Sequence, residues 1–317
     1  MDPTRGQACN VRQANKPAHS PEFGEALRQI ALGAKLRGGL GCGLVYRGNS
    51  LGLFRQTVAA LAIAIFLAAA PVVSAAATRP AKNAPAGYDI SWPQCAGTYP
   101  SPQAFGIVGV NKGIVFTANP CLQSEISWAG GAAAQLYANT GNPGPALSSH
   151  WPDGQTFPAE CNPSGSTLLF DRDTAGCAYD YGYNAAADAY ANAVLAFGRL
   201  ALAPATPAAS TWWFDVETSN SWRSDVGLNV AALQGGIFYL SSVQVPNSRL
   251  GFYSTQYQWN QITGGTATTF AAFKSWVAGA ASVRGASAGC IGAGFTGGGV
   301  ALAQYPYAGF DADLPCP

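Results

Sequence analysis

Charge is scarce in this 317-residue chain: Asp, Glu, Lys and Arg make up 10% of it, where an average soluble protein carries roughly 25%. The formal net charge is +1. With no strongly basic field, nucleic acid is not an expected partner. No run of like charge marks a disordered tail. Histidine is nearly missing, with His19 and His150 alone. That argues against histidine-rich metal sites and against most Ser/His/Asp triads. No Cys-x-x-Cys occurs, so neither a redox motif nor a zinc ribbon is indicated. No G-x-G-x-x-G follows an expected strand, which weakens a dinucleotide-binding reading. No metal or organic cofactor is expected.

What is plentiful is apolar and small: 48% hydrophobic residues, 38 Gly and 21 Pro. Residues 57–70, TVAALAIAIFLAAA, are uninterrupted apolar or small, with Arg47 and Arg55 just before them. Val73-Ser74-Ala75 and Ala75-Ala76-Ala77 follow. A positive flank, a short apolar run and an A-x-A-like end describe a secretory signal, assigned to 47–77, with cleavage after Ala75 or Ala77. A single membrane anchor is the alternative, since crossing Pro71 brings the run to about 17 residues. Residues 1–46 form an unusual leader. Met1 is the only Met, and the true start could lie downstream, for example at Val45. Residues 78–86 read as a polar, Pro-containing linker, and 87–317 as one domain. Export is the expected destination, with the membrane touched only through the signal segment.

From Thr78 onward there are 9 Lys/Arg and 13 Asp/Glu, a net charge of about −4. Six Cys remain: Cys95, Cys121, Cys161, Cys177, Cys290 and Cys316. An even number in an exported chain reads as disulfides. Of the 15 connectivities that six allow, neighbour pairing (95–121, 161–177, 290–316) is the simplest.

Short β-rich runs are expected at Tyr88–Ser91, Phe105–Val110, Gln135–Ala138, Thr211–Val216, Leu250–Ser254, Ser275–Ala278 and Val300–Tyr305. Helices are expected at Leu122–Ala134, Tyr183–Leu202, Ser224–Ser242 and Thr268–Lys274. Alternating strands and helices imply parallel pairing. Seven or eight such units in some 240 residues is the size of an α/β, (β/α)8 TIM-barrel-like domain; a doubly wound sheet is the alternative. The Gly/Pro/Asn-rich stretch 140–182 reads as a disulfide-stapled insertion.

The acids are placed unevenly. Asp89 lies in GYDIS, Asp215 and Glu217 in WWFDVET, and Asp311 and Asp313 after AQYPYAGF. An Asp in an apolar strand is costly unless paired, hydrogen-bonded or facing a wet cavity. Acids at i and i+2 on one strand share a face. Side by side, two carboxylates raise each other's pKa, giving the protonated/ionised pair that glycoside hydrolysis needs. The aromatics around them, Trp213 among them, can stack on sugar faces, although core packing accounts for most aromatics. His150 reads as a loop residue, and Asp171-Arg172-Asp173 as a solvated turn without a full calcium loop.

An ordered set of motifs is similar to the family 25 glycoside hydrolases, the muramidase-type lysozymes, and to divergent secreted members of actinobacterial type. GYDISWPQ resembles that family's first strand, G-x-D-[VI]-S-x-x-Q. FGIVGVNKG resembles its second strand, QLYANTGNPG its third and WWFDVET its fourth-strand D-x-E. LGFYST, KSWVAGA and AQYPYAGFDADLPC resemble the later strands. The resemblance implies Glu217 as general acid, Asp215 as its partner, and Asp89 and Asp313 as further catalytic-pocket acids. It implies Tyr253 and Gln304 as substrate-positioning residues, with Asp311 as the alternative to Asp313 for the last-strand acid; Asp311 and, for its stacking surface, Trp213 are taken as further substrate-binding residues. Two departures stand out: the second strand ends Asn-Lys-Gly, without the family's acid before Gly, and Ala303 replaces a Trp. The function implied is a secreted, monomeric lysozyme-like hydrolase of the β-1,4 bond between N-acetylmuramic acid and N-acetylglucosamine in peptidoglycan. The alternatives are a non-catalytic binder of cell-wall glycan on the same barrel, and a hydrolase of another wall polysaccharide.

Overall fold

The computed structural model describes residues 87–317 apart from 96, 102, 266 and 267. The expected leader, signal segment and linker lie outside the described residues. In chain order the elements are β1 (Gly87–Ile90), β2 (Phe105–Gly109), α1 (Leu122–Trp128), β3 (Gln135–Asn139), α2 (Leu169–Arg172), α3 (Ala175–Arg199), α4 (Thr206–Ala209), β4 (Trp212–Asp215), α5 (Val226–Ser242), β5 (Leu250–Ser254), α6 (Gln256–Thr263), β6 (Lys274–Val277), α7 (Val283–Gly289), β7 (Val300–Tyr307) and β8 (Phe310–Pro315). The eight strands close into a barrel in sequence order.

The barrel corrects the expected (β/α)8 pattern in two ways. Strands β1 to β7 run parallel, but β8 is antiparallel to both β7 and β1. Among the described residues no α-helix lies between β1 and β2, or between β7 and β8. The last reversal has a local cause. Ala308 and Gly309 both take positive φ, 53° and 85°, between the paired residues Tyr307 and Phe310. Two such residues make the tight turn that suits strand twist. Among the described residues no helix is long and apolar enough to cross a membrane.

Alternation along the strands divides the side chains. Val108, Leu136, Trp212, Phe214, Leu250 and Phe252 join the large core between strands and helices. Ile107, Trp213, Trp276 and Leu302 fill the barrel itself. Gly251 makes room there, since a Cβ on it would fall 2.2 Å from the Trp213 ring. The longest helices, α3 and α5, cross at backbone distance: a Cβ on Gly182 would lie 1.8 Å from the Ala232 carbonyl oxygen, and one on Gly235 1.9 Å from that of Tyr179. This explains a misplaced boundary. The helix expected from Tyr183 starts at Ala175, capped by the Thr174 hydroxyl, which accepts from the Cys177 amide. Gly176 and Gly182, inside that first part of the helix, serve close packing.

The three disulfides are Cys95–Cys121, Cys161–Cys177 and Cys290–Cys316. Such a set fits an oxidising, extracellular setting. Cys177 belongs to the first turn of α3, so the insertion is shorter than 140–182, and its staple ties a loop to a helix. The segment expected as a helix at Thr268–Lys274 is a turn that runs into β6, while α6 and α7 were not expected.

Candidate functional site

The C-terminal ends of the parallel strands, together with the first residues of β8, gather the acids. Asp89 on β1 stands opposite Asp311 on β8, and Gln304 on β7 stands opposite Asp313. Because Asp311 and Asp313 are two apart, both face the barrel interior, while Ala312 between them packs outward against Tyr88 and Ala286. Asp215 ends β4, and Glu217 follows two residues on. Val216 between them is buried in the outer core. Period-two patterning thus assembles five carboxyl groups from three strands around one opening.

Named partners fix most of these groups. Gln304 Nε2 donates to Asp89 Oδ2 at 2.8 Å, and the Tyr253 hydroxyl donates to Gln304 Oε1 at 2.8 Å. Trp276 Nε1 donates to Asp313 Oδ1 at 2.7 Å. Asn139 Nδ2 donates to Asp215 Oδ2 at 2.5 Å. Asn139 is itself held by its backbone amide, which donates to Asn111 Oδ1 at 3.0 Å. Glu217 is hydrogen-bonded to Gln258. Asp215 is 4% exposed and Asp313 fully buried. Asp215 Oδ1 has no hydrogen-bond partner among the described residues.

Burial and mutual repulsion raise all five carboxyls. Asp89 is pushed up to about 7, first by burial and then by the Asp311 charge. Asp215 is raised well above the usual range by burial, then by Glu217 and Asp89. Asp313 is raised likewise by burial and by Asp89. Glu217 and Asp311 are raised chiefly by burial. Asp89 and Asp313 face each other carboxyl to carboxyl. A hydrogen bond between them requires that one hold a proton, and the deeper Asp313 is the one that does. The mouth therefore stores protons near neutrality, beside groups that can ionise.

Seven of the eight expected site residues line this mouth or hold its lining: Glu217, Asp215, Asp89, Asp313, Asp311, Tyr253 and Gln304. Trp213 does not. It is 3% exposed, it donates from Nε1 to Gln135 Oε1 at 2.9 Å, and it lines a hollow at the opposite end of the barrel. It sits one interior layer below Asp215, which places its ring beneath the site. Asn139, Asn111, Tyr137, Trp276 and Gln258 were missed. Asn139 and Trp276 had a readable signal, since both occupy interior-facing strand positions in register with the acids. Tyr137 is raised well above its usual value by burial and by Asp89 and is hydrogen-bonded to Ser91.

At the rim, Trp92 is 38% exposed, with Lys112 Nζ 5.6 Å from its ring centre. The departure at the end of the second strand has a structural counterpart: Asn111 is buried and holds Asn139, while Lys112 points outward. His150 is an exposed loop residue stacked on Phe116 at 4.3 Å. Asp171 and Arg172 lie in α2 rather than in a free turn, and Arg172 and Asp173 pair with Asp153 and Arg223. Cys95, Cys121 and Glu125 bring possible metal ligands together, but both sulfurs are joined in a disulfide.

Residues 201–287 match a family model described as Lysozyme-like protein 1. The match takes in Asp215, Glu217, Tyr253 and Trp276, and leaves out Asp89, Gln304, Asp311 and Asp313. Among solved structures, the chain is similar to a muramidase from Trichobolus zukalii, 17% identical with a TM-score of 0.42. It is also similar to a muramidase from Acremonium alcalophilum, 16% identical with a TM-score of 0.36. In both cases 72% of this chain and 92% of the other are covered. No curated protein matches the chain.

Proposed function

We propose that the chain is an exported muramidase-type glycoside hydrolase that cleaves the β-1,4 bond between N-acetylmuramic acid and N-acetylglucosamine in peptidoglycan. The observation that carries this reading is the convergence of five carboxyl groups on one barrel mouth, all raised by burial. The sequence motifs support the family 25 assignment and the actinobacterial type, and the lysozyme-like family match supports the muramidase class.

Glu217 is the general acid. It is half-buried and lies nearest to solvent of the Asp215/Glu217 pair. In the empty mouth burial favours the proton on the deeper Asp215. A sugar laid over the opening removes water from Glu217 and raises its carboxyl in turn. The proton then stands on the side of the leaving oxygen. As the glycosidic bond breaks, positive charge grows on the sugar ring. Asp215 and Asp89, fixed by Asn139 and Gln304, are preorganised anions that stabilise it. Asp313, anchored by Trp276, shares its proton with Asp89. Tyr253 and Gln304 orient the substrate side of Asp89, and Asp311 lies at the outer rim.

The test is incubation of wild type and Glu217→Gln with purified peptidoglycan, followed by mass analysis of the fragments and measurement of new reducing ends. Fragments ending in reducing N-acetylmuramic acid, absent with the variant, are expected. A folded wild type that releases nothing overturns the reading. One observation favours a second reading, a wall-glycan binder without turnover: the end of β2 carries buried Asn111 and outward Lys112 in place of an acid. Pelleting with the wall, unchanged by Glu217→Gln and without release, would establish it. Release of sugars lacking muramic acid would instead identify another wall polysaccharide as substrate.

A further inference from the structure

We propose that the hollow at the N-terminal end of the barrel, opposite the acidic mouth, binds the oxyanion of a phosphate group. Its polar lining comes from Gln135, Thr211, Ser248, Arg249 and Lys274, over a floor that includes Trp213. Among the described residues no carboxylate lines it. Arg249 and Lys274 come together because they begin adjacent strands: Arg249 directly precedes β5, and Lys274 opens β6 in register with Gly251. Residues 87–317 hold seven Lys and Arg side chains, and two of them meet here. The ion pairs formed among the described residues are Arg172–Asp153 and Arg223–Asp173, so neither Arg249 nor Lys274 has an anionic partner there.

The neutral groups point to the same ligand. Gln135 Oε1 is occupied by the Trp213 indole N–H, so the amide NH2 is the end of Gln135 left to face a ligand. The hydroxyls of Thr211 and Ser248 can donate as well. Two like charges side by side repel unless an anion lies between them. A guanidinium, an ammonium, an amide and two hydroxyls offer more donors than a carboxylate's two oxygens can use. The four oxygens of a phosphate suit them, with Arg as the forked donor and Lys as a point charge. The site is independent of the hydrolase reading, because the Trp213 layer separates it from the acids.

The experiment is calorimetric titration of the protein with inorganic phosphate and, separately, with a diglycerol phosphodiester at low salt. Wild type is compared with Arg249→Gln/Lys274→Gln and with the charge-keeping Arg249→Lys/Lys274→Arg. Wild type is expected to bind, with affinity falling as salt rises, and the Gln double variant to bind at least about tenfold more weakly. The charge-keeping variant is expected to retain part of the affinity, and phosphate to raise the Tm of wild type but not of the Gln variant. Equal binding of both ligands marks a site for polymer-borne phosphate; binding of inorganic phosphate alone marks a free-anion site. No heat and no Tm shift up to about 50 mM phosphate, or undiminished binding by a folded Gln variant, overturns the proposal. Hydrolysis assays run alongside are expected to be unchanged by the Gln substitutions, so failure here is distinguishable from failure of the hydrolase reading.

Discussion

The two ends of one barrel are built from the same strands and have opposite character. At the C-terminal end, buried carboxyls from β1, β4 and β8 crowd together and are held by single hydrogen bonds from Gln304, Asn139 and Trp276. At the N-terminal end, Arg249 and Lys274 are exposed, and the layer just inside is apolar, filled by Trp213, Ile107, Trp276 and Leu302. A strand carrying Trp213 and Asp215 shows the contrast within three residues. Charge kept inside the barrel is concentrated where it can do chemistry, and the mass that holds the barrel shut lies one layer below.

The sharpest way to break this contrast is at Glu217. Glu217→Gln should reduce glycan hydrolysis by about 100- to 10,000-fold, with an unchanged near-UV circular dichroism spectrum. Substitution one layer down should do the reverse. Trp213→Ala is expected to cost about 3–5 kcal/mol of stability, read from the denaturant midpoint, with the KM for glycan little changed well below the Tm. Removing the staple on the insertion with Cys161→Ser and Cys177→Ser should cost about 3 kcal/mol for a closed loop of this length, again as lost stability.

Acidity offers a subtler test. Asp89 has a folded pKa of about 7, above the unfolded value near 3.9. The folded state therefore binds the proton more tightly. Stability from this group is full below the unfolded pKa and declines as pH rises toward 7. Asp215 and Asp313 are raised as well and add to the decline with the same sign. The Tm should fall from pH 5 to pH 8, and Asp89→Asn should flatten that slope; a Tm that rises over this range would contradict the buried-carboxyl picture. The smallest effect is expected at the rim, where Trp92→Ala should raise KM a few-fold and leave kcat nearly unaltered.

Much of this was legible in the sequence because period-two alternation is a strong signal. Seven strands were expected close to where they lie, with Leu250–Ser254 matched at both ends. The D-x-E and the lone Asp of GYDIS stood out because acids in apolar strands need a reason. The eighth strand was not expected. FDADLP reads as polar and ends in Pro, and the Ala308-Gly309 turn with pairing to β7 and β1 makes it a strand. Trp213 was misread because a Trp beside an acid looks the same whether it caps a sugar or plugs a barrel. Asn111 was missed because a polar residue at a strand end is common, and its value comes from Asn139, which tertiary folding puts opposite it.

The antiparallel eighth strand joins the two extremes of the domain. Gln304 reaches Asp89 across 215 positions of sequence, and Asp313 meets Asp89 only when β8 is seated against β1. Contacts of such long range form late, after nearer ones have taken up the slack in the chain. Cys290–Cys316 then fastens the closing strand to the segment before it. Two of the five acids, Asp311 and Asp313, thus take their places only once β8 has docked. A chain clipped before Phe310 would lack both, and the cluster would be completed in one step with closure of the ring.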